Sequence, residues 1–102
     1  MDYKVIWSDE AIEDLGKAVQ DIARQNPIAA KRTGEKILKK VGVLAQFPRF
    51  GRRYAKLGRD DVREFPVPPY RVIYFVRDAT RIVIILTVWH GARQEPDTLR
   101  GI

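Results

Sequence analysis

The sequence of 102 residues contains no cysteine, one histidine (His90) and one serine (Ser8). Without cysteine, the chain can form neither a disulfide framework nor a thiolate metal site. One histidine cannot hold zinc without help from carboxylates, and no HxxxH or HExxH pair is present, so we expect no metal and no cofactor. Ser8 precedes two acids in the pattern of a helix N-cap, which argues against a Ser-His-Asp triad. The sequence also lacks GxGxxG, GxSxG and P-loop motifs.

Long hydrophobic runs are absent too. No apolar stretch approaches the roughly 20 residues of a membrane span, and the N-terminus MDYKVIWSDEA has no apolar segment of the signal-peptide kind. We therefore expect a cytoplasmic protein with no membrane partner. The length predicts one domain, residues 1–102. A hydrophobic content of 45%, with 10% aromatic residues, is typical of a folded globule.

Positive charge is concentrated in one part of the chain. Residues 31–63 carry eleven lysines and arginines against three acids, a net charge of +8, so the rest of the chain is −2 and the total is +6. Such a segment is the electrostatic footprint of an anionic partner, which can be nucleic acid, an acidic protein, or both. A solvated helix face followed by a soluble loop would give the same composition.

Two amphipathic helices are predicted in the first half of the chain. Ser8 and Asn26-Pro27 have the residue types that begin helices, and apolar residues follow each start at intervals of three and four. The helices form a hairpin because neither can bury its apolar face alone, and Gly34 allows them to approach closely. Residues 2–7, before the first helix, are aromatic and β-branched and predict a strand.

The second half predicts three strands. Phe47-Pro48 ends the second helix, and a loop of about 14 residues follows, near the usual limit for a structureless loop. A strand then begins at Val62, with Arg63, Phe65 and Val67 on one face. Pro66, Pro68 and Pro69 mark its end and a turn, since proline cannot donate to a β-ladder. Residues 71–76 form the next strand, and residues 78–80 a hairpin turn. Residues 82–89 are apolar on both faces and predict a central strand. The expected fold is α+β, with the order β-α-α-β-β-β.

Four polar residues interrupt these strands: Arg63, Arg71, His90 and Arg93. Three guanidinium groups near one imidazole could bind a phosphate and stabilise a pentavalent phosphorane, which is what metal-free RNA cleavage requires. The alternative is structural. Arg63 would then pair with a neighbouring carboxylate such as Glu64 or Asp61, Arg71 would extend from the sheet to solvent, and His90 would be a satisfied structural histidine.

Two aromatic residues, Phe50 and Tyr54, lie in the basic loop. They could stack on nucleic-acid bases. They could also anchor the loop to the rest of the domain, which is the role we expect.

Six short motifs follow one another along nearly the whole chain: WSxxAxxDL at 7–15, NPxAA at 26–30, LxxFPxxGR at 44–52, REF at 63–65, YRVIY at 70–74 and HGAR at 90–93. In this order and spacing, the chain resembles the ParE/RelE superfamily, the toxins of bacterial type II toxin–antitoxin modules, often named plasmid stabilization proteins. The resemblance implies a helical hairpin packed on an antiparallel sheet. It also implies a cognate antitoxin, acidic and DNA-binding, that lays an extended or helical segment on the toxin in a hetero-oligomer.

The superfamily divides by target. RelE-like members cut mRNA on the ribosome without a metal, and ParE-like members poison DNA gyrase. Glu64 stands near the position where RelE-like toxins place a catalytic lysine, and no tyrosine follows Tyr74. The resemblance therefore favours the ParE-like branch, in which the four polar residues serve recognition and structure. In the RelE-like alternative, an mRNA endonuclease, the catalytic residues would be Arg63, Arg71, His90 and Arg93. A further alternative is a degenerate toxin that only binds antitoxin.

Overall fold

Two helices pack against one face of a five-stranded sheet in the computed structural model, which describes residues 2–102. The elements in chain order are β1 (Lys4–Trp7), α1 (Asp9–Ala23), α2 (Pro27–Val43), β2 (Arg52–Arg53), β3 (Val62–Val67), β4 (Tyr70–Arg77), β5 (Ile82–His90) and a 3-10 helix (Asp97–Gly101). The predicted α+β fold and its element order are confirmed. The short strand β2 and the 3-10 helix were not predicted.

Both helix starts are capped as the sequence indicates. The Ser8 hydroxyl accepts the backbone N–H of Ala11 at 3.0 Å, and the Asn26 side-chain oxygen accepts that of Ala29 at 3.0 Å. The close approach at Gly34 is confirmed, because a Cβ at this position would lie 3.4 Å from a methyl group of Val19. Within residues 2–102, neither helix is long and apolar enough to cross a bilayer.

The sheet is mixed, with the strand order β1-β5-β4-β3-β2. Strand β5 is antiparallel to β4, as expected, but parallel to β1, so the expected antiparallel sheet is wrong at the β1–β5 pairing alone. The helical hairpin explains the difference. It returns the chain to the end of the sheet where β1 begins, and there the Ala45 carbonyl accepts the N–H of Tyr3 at 2.7 Å. Strands β1, β3 and β5 therefore start at the same end.

Strand β3 ends at Val67, just before the turn at Pro68 and Pro69, as predicted, and it includes Pro66. Proline is tolerated because β2 pairs only with Arg63 and Glu64, which leaves β3 an open edge at Pro66. The Pro66 carbonyl accepts a hydrogen bond from the Lys40 ammonium at 3.1 Å instead of from a strand. The turn that joins β3 to β4 is formed by Pro68 and Pro69.

The sheet has an apolar layer on each face. The layer under the helices contains residues from every long element, including Ala11, Ile37, Val41, Leu44, Phe65, Val72, Tyr74, Val83 and Ile85. The outer layer is smaller and consists of Tyr54, Val62, Ile73 and Leu99, with Trp89 and Ile102 packed beside them. The loop after β2 and the 3-10 helix cover this outer face. Strand β5 is thus covered on both faces, as predicted, although its outward residues remain half-buried.

A register shift between β4 and β5 leaves Leu86 without a partner, since Ile73 pairs with Thr87 and Tyr74 with Ile85. The carboxylate of Asp14, on α1, binds the β5 groups beside this bulge. It accepts the Thr87 hydroxyl at 2.7 Å and the Val88 N–H at 3.1 Å. This contact ties α1 to the end of β5, where His90 lies.

Candidate functional site

The four polar residues predicted from sequence do not converge on one centre. Arg63 and Arg71 lie on the paired strands β3 and β4, but three pairs apart and on opposite faces of the sheet, because Arg63 pairs with Tyr74 and Arg71 with Pro66. Only His90 and Arg93 line a common groove. The structure therefore offers three separate sites.

The guanidinium of Arg71 is held by Glu64, which is only 3% exposed. Two nitrogens of Arg71 donate to the two carboxylate oxygens, at 2.7 and 2.9 Å. The guanidinium also stacks near the rings of Trp89, at 4.5 Å, and Tyr54, at 5.6 Å. The hydrogen bonds to Glu64 raise the pKa of Arg71 above its ordinary value. The structural alternative, in which Arg71 extends from the sheet to solvent, is wrong, because the side chain is only 30% exposed and its guanidinium forms a bidentate ion pair.

Arg63 fastens the loop that precedes β3. Its guanidinium donates to the backbone carbonyls of Gly51 (2.8 Å) and Asp60 (2.9 Å), and to the Asp60 carboxylate at 2.6 Å. The sequence-based alternative of a carboxylate partner is confirmed in kind. The partner is Asp60, however, and neither Glu64 nor Asp61, because Glu64 points to the opposite face of β3 and Asp61 binds Arg59.

His90 is the last residue of β5 and packs edge-to-face against Tyr70, with ring centroids 5.3 Å apart. Its Nδ1 accepts the backbone N–H of Ala92 at 3.2 Å, which closes the turn after the strand. Arg93 lies 3.6 Å from the carboxylate of Asp21 on α1. These residues border a shallow polar groove between α1 and the end of β5. Acidic side chains of α1, such as Asp21, face the basic side chains of His90 and Arg93 across it.

Tyr54 anchors the basic loop, as expected. Its ring is buried in the outer layer, and its hydroxyl donates to the carboxylate of Glu95, which also accepts the Lys56 ammonium at 2.8 Å. Burial, with a smaller contribution from Glu95, raises the pKa of Tyr54 to about 12. Tyr54 is therefore unavailable for base stacking. Phe50 packs edge-to-face on Phe65 at 5.9 Å but keeps 49% of its surface exposed.

One surface was missed at the level of sequence. Residues 46–50 line an apolar groove of about 480 Å³, which we call the Phe groove, and Phe47 beside it is 62% exposed. The sequence signal was the pair of phenylalanines around Pro48 and Arg49, which we interpreted as a helix end and a loop. Within residues 2–102, no cluster of three or more His, Asp or Glu side chains has the geometry of a metal site.

Comparison with known proteins decides the family. Residues 5–95 match the family model described as the ParE toxin of type II toxin–antitoxin systems, parDE. The chain belongs to the ParE toxin family. A curated relative, Toxin RelE2 of Caulobacter vibrioides, is 33% identical over 91 residues, which are 88% of this chain and 97% of that protein. This ParE-family chain is thus a type II toxin of the ParE/RelE superfamily, as its motifs predict.

Solved structures share the fold. The chromosomal ParDE system of P. aeruginosa contains a chain with a TM-score of 0.70 and 19% identity, over 86% of the ParE-family chain and 95% of that chain. A chain of the RelBE2 toxin–antitoxin complex of Mycobacterium tuberculosis has a TM-score of 0.63 and 26% identity, and the match covers 88% of the ParE-family chain and 99% of that chain. The isolated RelE toxin of E. coli has a TM-score of 0.65 and 20% identity, and the match covers 91% of the ParE-family chain and 88% of that toxin. Both branches of the superfamily are therefore similar to this chain in structure.

Proposed function

We propose that this ParE-family chain arrests growth by binding DNA gyrase, and that a cognate antitoxin neutralises it. The observation that carries the proposal is the bidentate ion pair between Arg71 and the buried Glu64. Metal-free cleavage of RNA needs cationic groups aimed at the phosphate where negative charge develops. A guanidinium already bound to a carboxylate cannot take that role unless the pair is broken. The match of residues 5–95 to the ParE family supports the same target.

The other two arginines favour a binding surface over a nuclease centre for the same reason. Asp60 lies against Arg63, and Asp21 lies near Arg93. Each arginine thus has a carboxylate beside it, and a carboxylate repels an RNA phosphate. His90 makes a local turn contact and has only Arg93 of the three arginines in its groove.

An antitoxin partner is supported by the neighbours in structure, because several of them were solved as toxin–antitoxin complexes. The +8 charge of residues 31–63 complements an acidic antitoxin. Gyrase works in the cytoplasm, so the proposal also places the toxin there, in a hetero-oligomer with its antitoxin until release.

The test is a supercoiling assay. Toxin separated from its antitoxin and refolded is added to gyrase and relaxed plasmid. We expect loss of supercoiling, with gyrase-dependent DNA breaks, and recovery when antitoxin is added. Full gyrase activity at a large excess of folded toxin would refute the proposal. Normal growth of cells that express the toxin alone would favour a degenerate toxin.

The second candidate is a ribosome-dependent mRNA endonuclease, which the 33% identity to Toxin RelE2 favours. In that mechanism, His90 acts as acid or base, and Arg63, Arg71 and Arg93 stabilise the transition state. It predicts new mRNA 5′ ends within codons after induction, lost in Arg71→Ala and His90→Ala.

Arg71→Ala alone does not discriminate between the two functions, because it also strips a buried carboxylate of its partner. Glu64→Gln is the informative variant, since it keeps the side-chain shape but releases the guanidinium. A nuclease should retain or increase cleavage in Glu64→Gln. Under our proposal, neither wild type nor this variant produces new 5′ ends.

A further inference from the structure

The Phe groove is an apolar surface that the fold leaves uncovered. Phe47 is 62% exposed and Phe50 49% exposed, although both are large and apolar. The residues between them, Pro48 and Arg49, complete the lining together with Gln46. Single exposed apolar residues are ordinary, but two phenylalanine rings beside one groove are typical of an interaction site.

The groove is held in a fixed shape. The Phe47 N–H donates to the Val43 carbonyl at 2.9 Å, and the Phe50 N–H donates to the Phe47 carbonyl at 3.0 Å. Arg49 clamps the loop from outside, with hydrogen bonds to the carboxylates of Asp60 and Asp78. Because the surface is already ordered, a partner that binds it has little conformational entropy to remove from the toxin.

The described C-terminal residues do not fill this groove. Leu99 and Ile102 pack in the outer layer of the sheet. Phe50, by contrast, contacts Phe65, which belongs to the layer on the helix side. The described C-terminal segment therefore leaves the groove open to a partner.

Positive charge borders the groove. The Lys40 ammonium lies 6.0 Å from the centre of the Phe65 ring, which Phe50 contacts. Arg53 lies three residues after Phe50 on the edge strand β2 and is exposed. It pairs with Arg63, which faces the same side of the sheet as Phe65. Within residues 2–102, neither Lys40 nor Arg53 forms a salt bridge. The rim therefore carries positive charge available for acidic groups of a partner.

We propose that the Phe groove is a docking site for the cognate antitoxin, which inserts one large aliphatic or aromatic side chain beside Phe47 and Phe50. Acidic residues on either side of that anchor pair with Lys40 and Arg53. An apolar side chain fits the apolar lining better than a nucleobase, whose polar edges would lose their hydrogen bonds to water there. This inference rests on the proposed neutralisation by an antitoxin, and it assigns the contact to residues of this chain.

The experiment compares matched variants of full-length toxin, each separated from antitoxin and refolded, with the full-length antitoxin encoded beside the toxin gene as the probe. Phe47→Ser should weaken antitoxin binding by about 30-fold or more, as for a buried interface anchor. Ile28→Ser is the control. Ile28 is 67% exposed at the start of α2, the end of that helix far from the groove, and its loss should change affinity by less than about threefold. Equal melting temperatures of the variants exclude a folding defect.

A second pair of variants tests the charged rim. Arg53→Glu should slow association by about tenfold at low salt, because steering by the rim is reversed. Lys31→Glu makes the same change of net charge near the start of α2 and should slow association much less. High salt should narrow the difference between the two variants, since it screens exposed charges.

The outcomes separate this inference from the proposed function. If antitoxin binds wild type and Phe47→Ser equally tightly, the docking site is wrong. The proposed gyrase target is unaffected by that result, because the supercoiling assay of wild-type toxin tests it independently. If antitoxin does not bind wild type, neutralisation and docking both fail. If Phe47→Ser loses binding to a single-stranded DNA oligonucleotide but not to antitoxin, the groove is a nucleic-acid site and the inference is overturned.

Discussion

The carboxylate of Glu64 lies almost entirely out of contact with water, yet the residue is acidic. A buried charge is tolerated only when it is paired and its hydrogen bonds are satisfied. Arg71 supplies both requirements through two short hydrogen bonds, and Arg52 adds a distant contact at 3.7 Å. At the scale of single residues, Arg71 is therefore a structural partner before it can be anything else.

Arg71→Ala should lower the free energy of unfolding by about 3 kcal/mol, at the low end for a broken buried pair because Arg71 is itself partly exposed. Arg52→Ala removes only the distant contact of a side chain that is 73% exposed, and should cost less than about 1 kcal/mol. Urea denaturation at neutral pH measures both values. Equal losses in the two variants would show that Arg71 does not carry the pairing.

Gly51 is a second residue whose identity is dictated by its neighbours. A Cβ at this position would lie 2.4 Å from the Glu64 carbonyl oxygen and 2.9 Å from the Tyr74 hydroxyl. The Gly51 N–H donates to the same hydroxyl at 2.8 Å. Strand β2 can approach β3 only because no side chain is present here.

Gly51→Ala should destabilise the fold by about 2–3 kcal/mol, because the backbone of β2 must shift. Gly16→Ala is the matched control within α1, where a Cβ would meet nothing within 4 Å. This change should stabilise the protein by about 0.5–1 kcal/mol through higher helix propensity. Thermal denaturation of the two variants should therefore shift in opposite directions, and shifts of the same sign would contradict the geometry.

At the scale of elements, the end of β5 depends on α1. The bulge at Leu86 turns the Val88 N–H and the Thr87 hydroxyl toward the helix, and the carboxylate of Asp14 accepts both. β1 ends at Trp7, opposite Ile85, so no strand could serve these groups. The helix thereby completes the hydrogen bonding that the sheet leaves open.

Asp14→Ala should lower the free energy of unfolding by about 2–3 kcal/mol, since it leaves the buried Thr87 hydroxyl and the Val88 N–H without an acceptor. Asp14→Asn keeps a side-chain oxygen in place and should cost clearly less. Glu13→Ala, an exposed neighbour on the same helix, is the control and should change stability by less than about 0.5 kcal/mol. Chemical denaturation gives the ranking, and an Asp14→Ala value as small as that of Glu13→Ala would contradict this role.

Sequence patterns predicted the elements whose signals are local. Ser8 and Asn26 cap the helices, and apolar spacing marks α1, α2, β4 and β5, because these signals act over a few residues. Strand β2 and the parallel pairing of β1 arise from contacts distant in sequence, so no local pattern announces them. The same holds for the site. The sequence singles out Glu64 and Arg71 separately, but their pairing depends on the β3–β4 register, which no local pattern sets. The exposure of Phe47 likewise depends on the packing of the other elements, none of which covers it within residues 2–102.

At the scale of the whole molecule, a few exposed carboxylates join segments far apart in the chain. Asp78, in the turn between β4 and β5, accepts hydrogen bonds from Arg49 in the basic loop and from the Tyr3 hydroxyl near β1. Its pKa is lowered to about 2, chiefly by Arg49 and then by Tyr3. The pKa of Asp60 is lowered by Arg49 and Arg63.

These shifts predict the behaviour in acid. A carboxyl group whose folded pKa lies below its unfolded value of about 4 stabilises the fold above that pH, and the contribution is lost as the pH falls toward the folded pKa. The melting temperature of wild type should therefore fall between about pH 4 and pH 2. In Arg49→Gln the fall should be shallower, because Asp78 and Asp60 lose their shared partner. Arg24→Gln removes an exposed pair with Asp21 and should leave the profile unchanged. Identical profiles for all three proteins would contradict this assignment.

The parallel pairing of β1 with β5 has a consequence for protein synthesis. Within residues 2–102, residues 4–7 have a strand partner only in residues 82–85, so β1 stays unpaired until the ribosome has made β5. Pairings this far apart in sequence form late in folding. A nascent or prematurely terminated chain that stops before Ile82 has an unpaired β1 and lacks the strand between β1 and β4. Incomplete translation products should therefore lack the folded toxin domain, whatever its target is.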